Sequence, residues 1–151
     1  MDKKNLHTEV LHMAATFLIN RHNAHREIVA NGGYDTSEDF KYFMETNGRF
    51  AVLNKLLHAH INDRGVSVTE LMRVSRVTRP SVLACLKYGK EKELMFVEKS
   101  TSTKHLDIWR CDERLLNYYY DYVQGYANLI TPHEQYLGAC AFGILRKASG
   151  A

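Results

Sequence analysis

Ten basic side chains fall between Arg64 and Arg110 against five acids, while the rest of the chain carries ten bases and twelve acids. A cationic segment on a nearly neutral body suits a polyanionic partner, because each Lys or Arg brought to a phosphate displaces a condensed counterion. Within it Arg73, Arg76, Arg79, Lys87 and Lys104 are interspersed with the hydroxyls of Thr78, Ser81 and Thr103, which also bond phosphate oxygens. Any one of these cations alone would read as a solvated surface charge. As a set of eight residues they form a candidate phosphate-binding surface.

Other reactive residue types lead less far. His22 and His25, or Glu9 and His12, are three apart on one helix face and could share an ion, but no spacing supplies a third ligand. They are read as structural histidines, with no metal and no cofactor expected. Cys85, Cys111 and Cys140 are an odd number without a C-x-x-C pair, which argues for free, buried thiols. G-x-S-x-G, a Gly-rich phosphate loop and H-E-x-x-H are all missing from the sequence, so no enzyme activity is expected. No apolar run approaches a membrane span, and the opening MDKKNLHTEV does not read as a secretion signal. A cytoplasmic protein with no membrane partner is expected.

The elements that must position the cations follow from apolar periodicity. Leu6, Val10, Met13, Phe17, Ala24 and Ile28 are spaced as one helical stripe, with Leu11, Ala14 and Leu18 as a second beside it. The spacing predicts one helix over about residues 5–30, stopped at Asn31, Gly32 and Gly33, with more apolar surface than one packing partner needs. Thr36 or Ser37 can cap a short helix bearing Phe40, Phe43 and Met44, interrupted at Asn47 and Gly48. RFAVLNKLLHAHI then predicts a helix burying Phe50, Val52, Leu53, Leu56, Leu57 and Ile61.

Ser67 and Glu70 are spaced as a capping box for a brief helix with Leu71, Met72 and Val74 as its apolar contacts. After a turn over residues 75–77, Thr78 can cap a helix with Pro80 in its first turn. Val82, Cys85, Leu86 and Gly89 would face inward; Arg79, Ser81, Leu83, Ala84, Lys87 and Tyr88 lie toward the other side. Leu94, Phe96 and Val97 lead into a strand, STSTK makes a polar loop, and HLDIWR returns, with Val66 to Val68 as a fragment that can pair with this hairpin. Asp112 can cap a tyrosine-rich helix, and Thr131, Pro132 and Glu134 start a last one whose Gly138, Ala139 and Gly143 permit close helix approach.

Helix, turn, helix and two short strands in this order make a winged helix-turn-helix, whose second helix enters the DNA major groove. The fold class is therefore mostly α, a winged helix-turn-helix with N- and C-terminal helices. Residues 1–46 would form the N-terminal helix and a connecting helix, 47–111 the DNA-binding domain, and 112–151 the C-terminal helices. Arg73, Arg76, Thr78, Arg79, Ser81, Lys87, Thr103 and Lys104 become candidate contacts to double-stranded DNA, with the thymine methyl group as the natural partner of Leu83 or Ala84.

RFAVLNKLLHAHI, VSVTELMRVSRVTRPSV and the later FVEK, between residues 49 and 99, resemble the MarR family of bacterial transcriptional regulators. At the wing tip, where that family often has Asp-x-Arg, this chain has Ser102, Thr103, Lys104 and His105, so only a basic role through Lys104 carries over. The resemblance implies a homodimer on a pseudo-palindromic operator, with the terminal helices as its interface. It also implies a possible small-molecule effector, for which a pocket near Phe17, Phe43, Arg49 and Trp109 is the candidate. The alternative is a winged-helix protein-interaction module with weak or no DNA binding.

Overall fold

The computed structural model describes residues 3–31, 38–99 and 106–150. The order is α1 (Lys3–Asn31), α2 (Glu38–Met44), α3 (Asn47–Ile61), α4 (Val68–Ser75), α5 (Arg79–Glu91), β1 (Met95–Lys99), β2 (Asp107–Cys111), α6 (Glu113–Leu129) and α7 (Pro132–Ala148). No described helix is long and apolar enough to cross a membrane. Two compact units result. The first half of α6 joins α2 to α5 and the strands in a winged unit; its second half joins α1 and α7 in a helical unit.

In the helical unit α1 lies against α7. Val10 and Ala14 of α1 and Ala141 of α7 are buried together, with Leu145 packed against them. Gly138 makes this approach possible: a Cβ there would stand 2.5 Å from Cγ of Phe17. Gly143 meets nothing within 4 Å, so of the two glycines on α7 it is Gly138 that serves this contact. Each of the two stripes on α1 is split between core and surface. Val10, Ala14, Ala24 and Ile28 are buried, whereas Leu6, Leu11, Met13, Leu18 and Ile19 are exposed. Thr131 starts α7 with a full capping box, its hydroxyl and the Glu134 carboxylate each accepting from the other residue's backbone N–H.

The winged unit is built on α3. Val52, Leu53, Leu56 and Leu57 are buried there, together with Phe40 and Phe43 of α2, Leu71 of α4 and Val82 and Leu86 of α5. Asn47 and Gly48 do not break the chain; they are the first turn of α3, because Thr46 before them accepts from Arg49 N–H at 3.2 Å. Ile61 and Val74, expected as core, are 60% and 50% exposed, and Phe50 is half-buried. The capping box at Ser67 is only half made. Ser67 accepts from Glu70 N–H at 3.2 Å, but the Glu70 carboxylate turns to Lys55 and Arg64, each at 3.5 Å.

β1 and β2 pair antiparallel, with Met95 opposite Cys111 and Val97 opposite Trp109. Val66 and Trp109 exchange two backbone hydrogen bonds, of 3.0 and 2.7 Å, so the fragment before α4 does pair with the hairpin. Gly65 lets it come this close: a Cβ would lie 2.3 Å from Cγ2 of Ile108 and 2.9 Å from the Trp109 carbonyl oxygen. Phe96 points out of the wing, 42% exposed, while Leu94 and Met95 are buried. Asp112 caps α6 by accepting from Arg114 N–H at 3.0 Å. The stop after Asn31, the caps expected at Thr36 or Ser37, and the STSTK loop with Thr103 and Lys104 lie outside the described residues.

The turn between α4 and α5 depends on one backbone conformation. Arg76 is left-handed, φ 54 and ψ 34, and its N–H closes α4 onto the Met72 carbonyl. A non-glycine residue pays steric cost there. Two substitutions should therefore shift stability in opposite directions. Gly65→Ala is expected to destabilise by about 1 to 3 kcal/mol, since backbone must move, and Arg76→Gly to be neutral or stabilising by up to about 1 kcal/mol. Urea unfolding midpoints check both, and a tolerated Gly65→Ala would contradict the close approach described.

Candidate nucleic-acid interface

The periodicity of α5 divides its surface. Val82, Cys85, Leu86 and Gly89 are buried, as the sequence predicts, while Arg79, Leu83, Lys87 and Lys90 line an exposed face. Gly89 fits under Met95: a Cβ would stand 2.4 Å from the Met95 sulfur. Thr78 occupies the N-cap position, but its side chain makes no cap. Its hydroxyl instead donates to Ser81 Oγ at 3.0 Å, so the two hydroxyls stand together, exposed, at the start of the helix.

Tyr88, at the margin of α5, ties the helix to its neighbours. Its ring stacks on Tyr42 of α2, with centroids 3.7 Å apart and planes at 17°, and its hydroxyl donates to Asp39 at 3.3 Å. Arg49 of α3 covers the Tyr42 ring at 3.8 Å and donates to the Tyr42 carbonyl and the Glu45 carboxylate. Lys92 reaches Asp39 at 3.6 Å. Burial, then the adjoining Asp39 carboxylate, pushes the Tyr88 phenol up, so it stays a hydrogen-bond donor. α5 is held in place by packing on its inner side and leaves its outer side free.

The cations of the winged unit are sorted the same way. Lys41, Arg49, Lys55, Arg64, Lys92, Lys99, Arg110 and Arg114 each have a carboxylate partner. Among the described residues Arg73, Arg76, Arg79 and Lys90 have none, and all four are exposed on α4, the turn or α5. Lys87 meets Glu91 one turn on at 3.9 Å, an open contact worth little in water. Of the eight expected contact residues, Arg73, Arg76, Thr78, Arg79, Ser81 and Lys87 are therefore exposed along one helix-turn-helix, and Thr103 and Lys104 lie outside the described residues. Lys90 was not among the expected contacts. Its signal was its place on the helix, about three turns beyond Arg79 and on the same side.

The four expected effector residues do not share one environment. Phe43 is fully buried and meets the stacked Tyr42 and Tyr88 rings edge-on, at 5.2 and 5.8 Å; Arg49 is stacked and hydrogen-bonded; and Trp109 is buried in β2 between Val66 and Val97. Phe17 belongs to the helical unit. There it lines a cleft of about 280 Å³ with His12, Met13, Thr16, Asn20, Glu134 and Leu137. Burial pushes the Cys85 and Cys111 thiols up to about 12, which keeps both protonated and unreactive at neutral pH. Nδ1 of His25 shares a 2.8 Å hydrogen bond with the Tyr122 hydroxyl, and among the described residues no three His, Cys, Asp or Glu side chains are grouped to hold a metal.

No protein-family model matches the sequence, and no curated protein matches it. Solved structures match it in fold. The YusO protein of Bacillus subtilis aligns over 98% of this chain and 99% of its own, with a TM-score of 0.58 at 14% identity. NadR, in complex with 4-hydroxyphenylacetate, aligns over 83% and 84%, with a TM-score of 0.56 at 13% identity. BpsR of Bordetella bronchiseptica, whose structure addresses regulation of its DNA binding by 6-hydroxynicotinic acid, aligns over 91% and 93%, with a TM-score of 0.50 at 15% identity. The element order, the two-stranded wing and the paired terminal helices together give this chain the winged helix-turn-helix fold of the MarR-family regulators.

Proposed function

We propose that the chain is a sequence-specific, DNA-binding transcriptional regulator of the MarR type, a non-enzyme that acts in the cytoplasm as a homodimer on a pseudo-palindromic operator. One observation carries this reading: the cations without carboxylate partners, Arg73, Arg76, Arg79 and Lys90, are gathered on the exposed face of α4 and α5. Unpaired surface cations on a helix able to enter a major groove are the electrostatic requirement for phosphate contact. Backbone contacts through Arg73 and Arg76 would set register, and Arg79 at the start of α5 would reach a base edge. Thr78, Ser81, Lys87, Thr103 and Lys104 complete the proposed contact set.

The dimer reading rests on apolar surface in the helical unit. Leu6, Leu11, Met13, Leu18 and Ile19 of α1 and Phe142 and Ile144 of α7 are exposed, more than a monomer usually leaves in one region. Two proteins of like fold are tied to small aromatic acids, NadR by its complex with 4-hydroxyphenylacetate and BpsR by regulation of its DNA binding by 6-hydroxynicotinic acid. That class of effector is proposed here also, with the cleft beside Phe17 as the starting point of a search, Phe43 and Arg49 as packing residues around the tyrosine stack and Trp109 as a packing residue of the wing. A protein-interaction module is the second reading, favoured by the exposed Val74 and Leu83.

Salt separates the two. About six phosphate contacts per dimer should weaken duplex binding roughly a thousandfold between 50 and 200 mM salt; an interaction module would bind duplex weakly at every salt. Arg79→Ala is expected to lower affinity for the selected operator by about 1 to 3 kcal/mol, and Arg76→Gly to reduce the salt slope per dimer by about two, one for each subunit, without loss of stability. In sedimentation equilibrium the chain should be a dimer and Leu18→Arg a folded monomer. A monomeric parent chain, or an Arg79→Ala variant with unchanged affinity at fixed salt, would defeat the proposal.

A further inference from the structure

The outer face of α5 changes chemistry along its length. Arg79 and Ser81 bring hydrogen-bonding groups to its first turn and Lys87 and Lys90 bring them to its last turns, but the exposed side chains between are Leu83 and Ala84. Leu83 is 40% exposed, while the other aliphatic residues of the helix, Val82 and Leu86, are fully buried. On the helical wheel it falls between Arg79 and Lys90 on one side and Lys87 on the other. Cations so placed oppose the seating of an apolar protein surface, since their hydration would have to be given up, yet they suit a groove walled by phosphates on both sides.

The apolar group that a base edge offers in the major groove is the C5-methyl of thymine. A leucine and an alanine carry no donor or acceptor, so they cannot read guanine, adenine or cytosine by hydrogen bonding. We infer that Leu83, with Ala84 at its edge, is a specificity-determining residue that reads a thymine methyl group at the centre of each half-site. This rests on the regulator reading above and adds to it the class of base recognised. Four residues at 1.5 Å rise put Leu83 about 6 Å along the axis from Arg79, or about two base-pair steps of 3.4 Å. The thymine belongs about that far from the base nearest Arg79.

The test starts with the full chain selecting duplexes from a random library. In the selected duplex each half-site thymine is then replaced singly by deoxyuridine, which removes the methyl group and keeps every hydrogen-bonding atom. Affinity at fixed salt is expected to fall about threefold to tenfold at one or two positions per half-site, the worth of one buried methyl contact. Leu83→Ala, a change at an exposed position, should bind the thymine and uracil duplexes alike there. Equal affinity for thymine and uracil at every position overturns the inference, as does discrimination that survives in Leu83→Ala. If salt-dependent duplex binding persists without any uracil effect, the methyl contact alone is lost; if no duplex is bound at all, the regulator reading falls with it.

Discussion

A carboxylate answers each described cation of the winged unit except on one surface, where Arg73, Arg76, Arg79 and Lys90 stand open. This sorting is the constraint around which the unit is arranged. Glu91 meets Lys87 on α5 itself, but other nearby acids are engaged away from the cations of α4 and α5. Glu70 turns from its own cap toward Lys55 and Arg64, Glu98 holds Arg110 at 2.9 Å, and Asp39 is taken up by Tyr88 and Lys92. Each such pair is worth little as stability in water. Their joint effect is electrostatic: the described cations left without a carboxylate are those of α4, the turn after it and α5.

A charged face is useful only if its helix cannot drift. The Tyr42 and Tyr88 stack, capped by Arg49, fixes the margin of α5 against α2 and α3. Gly89 lets Met95 close over its far end. At the other side of the unit, Gly65 brings Val66 into register with Trp109, so the start of α4 is tied to the wing by two backbone hydrogen bonds. Arg76 sits between these anchors in a left-handed conformation that any side chain resents. Its backbone conformation gives no reason for an arginine there, and its side chain is exposed without a carboxylate partner.

Much of this was legible in the sequence because it is local. The inward set of α5, the cap at Asp112 and the box at Thr131 all follow from spacing along a single element or across one turn. What escaped depends on elements distant in the chain. Asp39 and Tyr88 are 49 residues apart, so nothing in either segment announces their bond, and Glu70 had an equally good local partner in Ser67 that it declines. Which cations stay unpaired could not be read for the same reason. The exposed ends of α3 and α4, at Ile61 and Val74, were missed because periodicity identifies a face but not how far along it the core extends.

The sorting of cations can be tested side chain by side chain. Arginines modified by a dicarbonyl reagent are located by mass spectrometry, first in the free protein and then at saturating duplex DNA. The account predicts that Arg73, Arg76 and Arg79 react fast when free and are protected by duplex, while Arg49, Arg64, Arg110 and Arg114, each already paired with a carboxylate, react slowly in both states. Unchanged reactivity of the first three with duplex bound, or protection confined to the paired arginines, would contradict it.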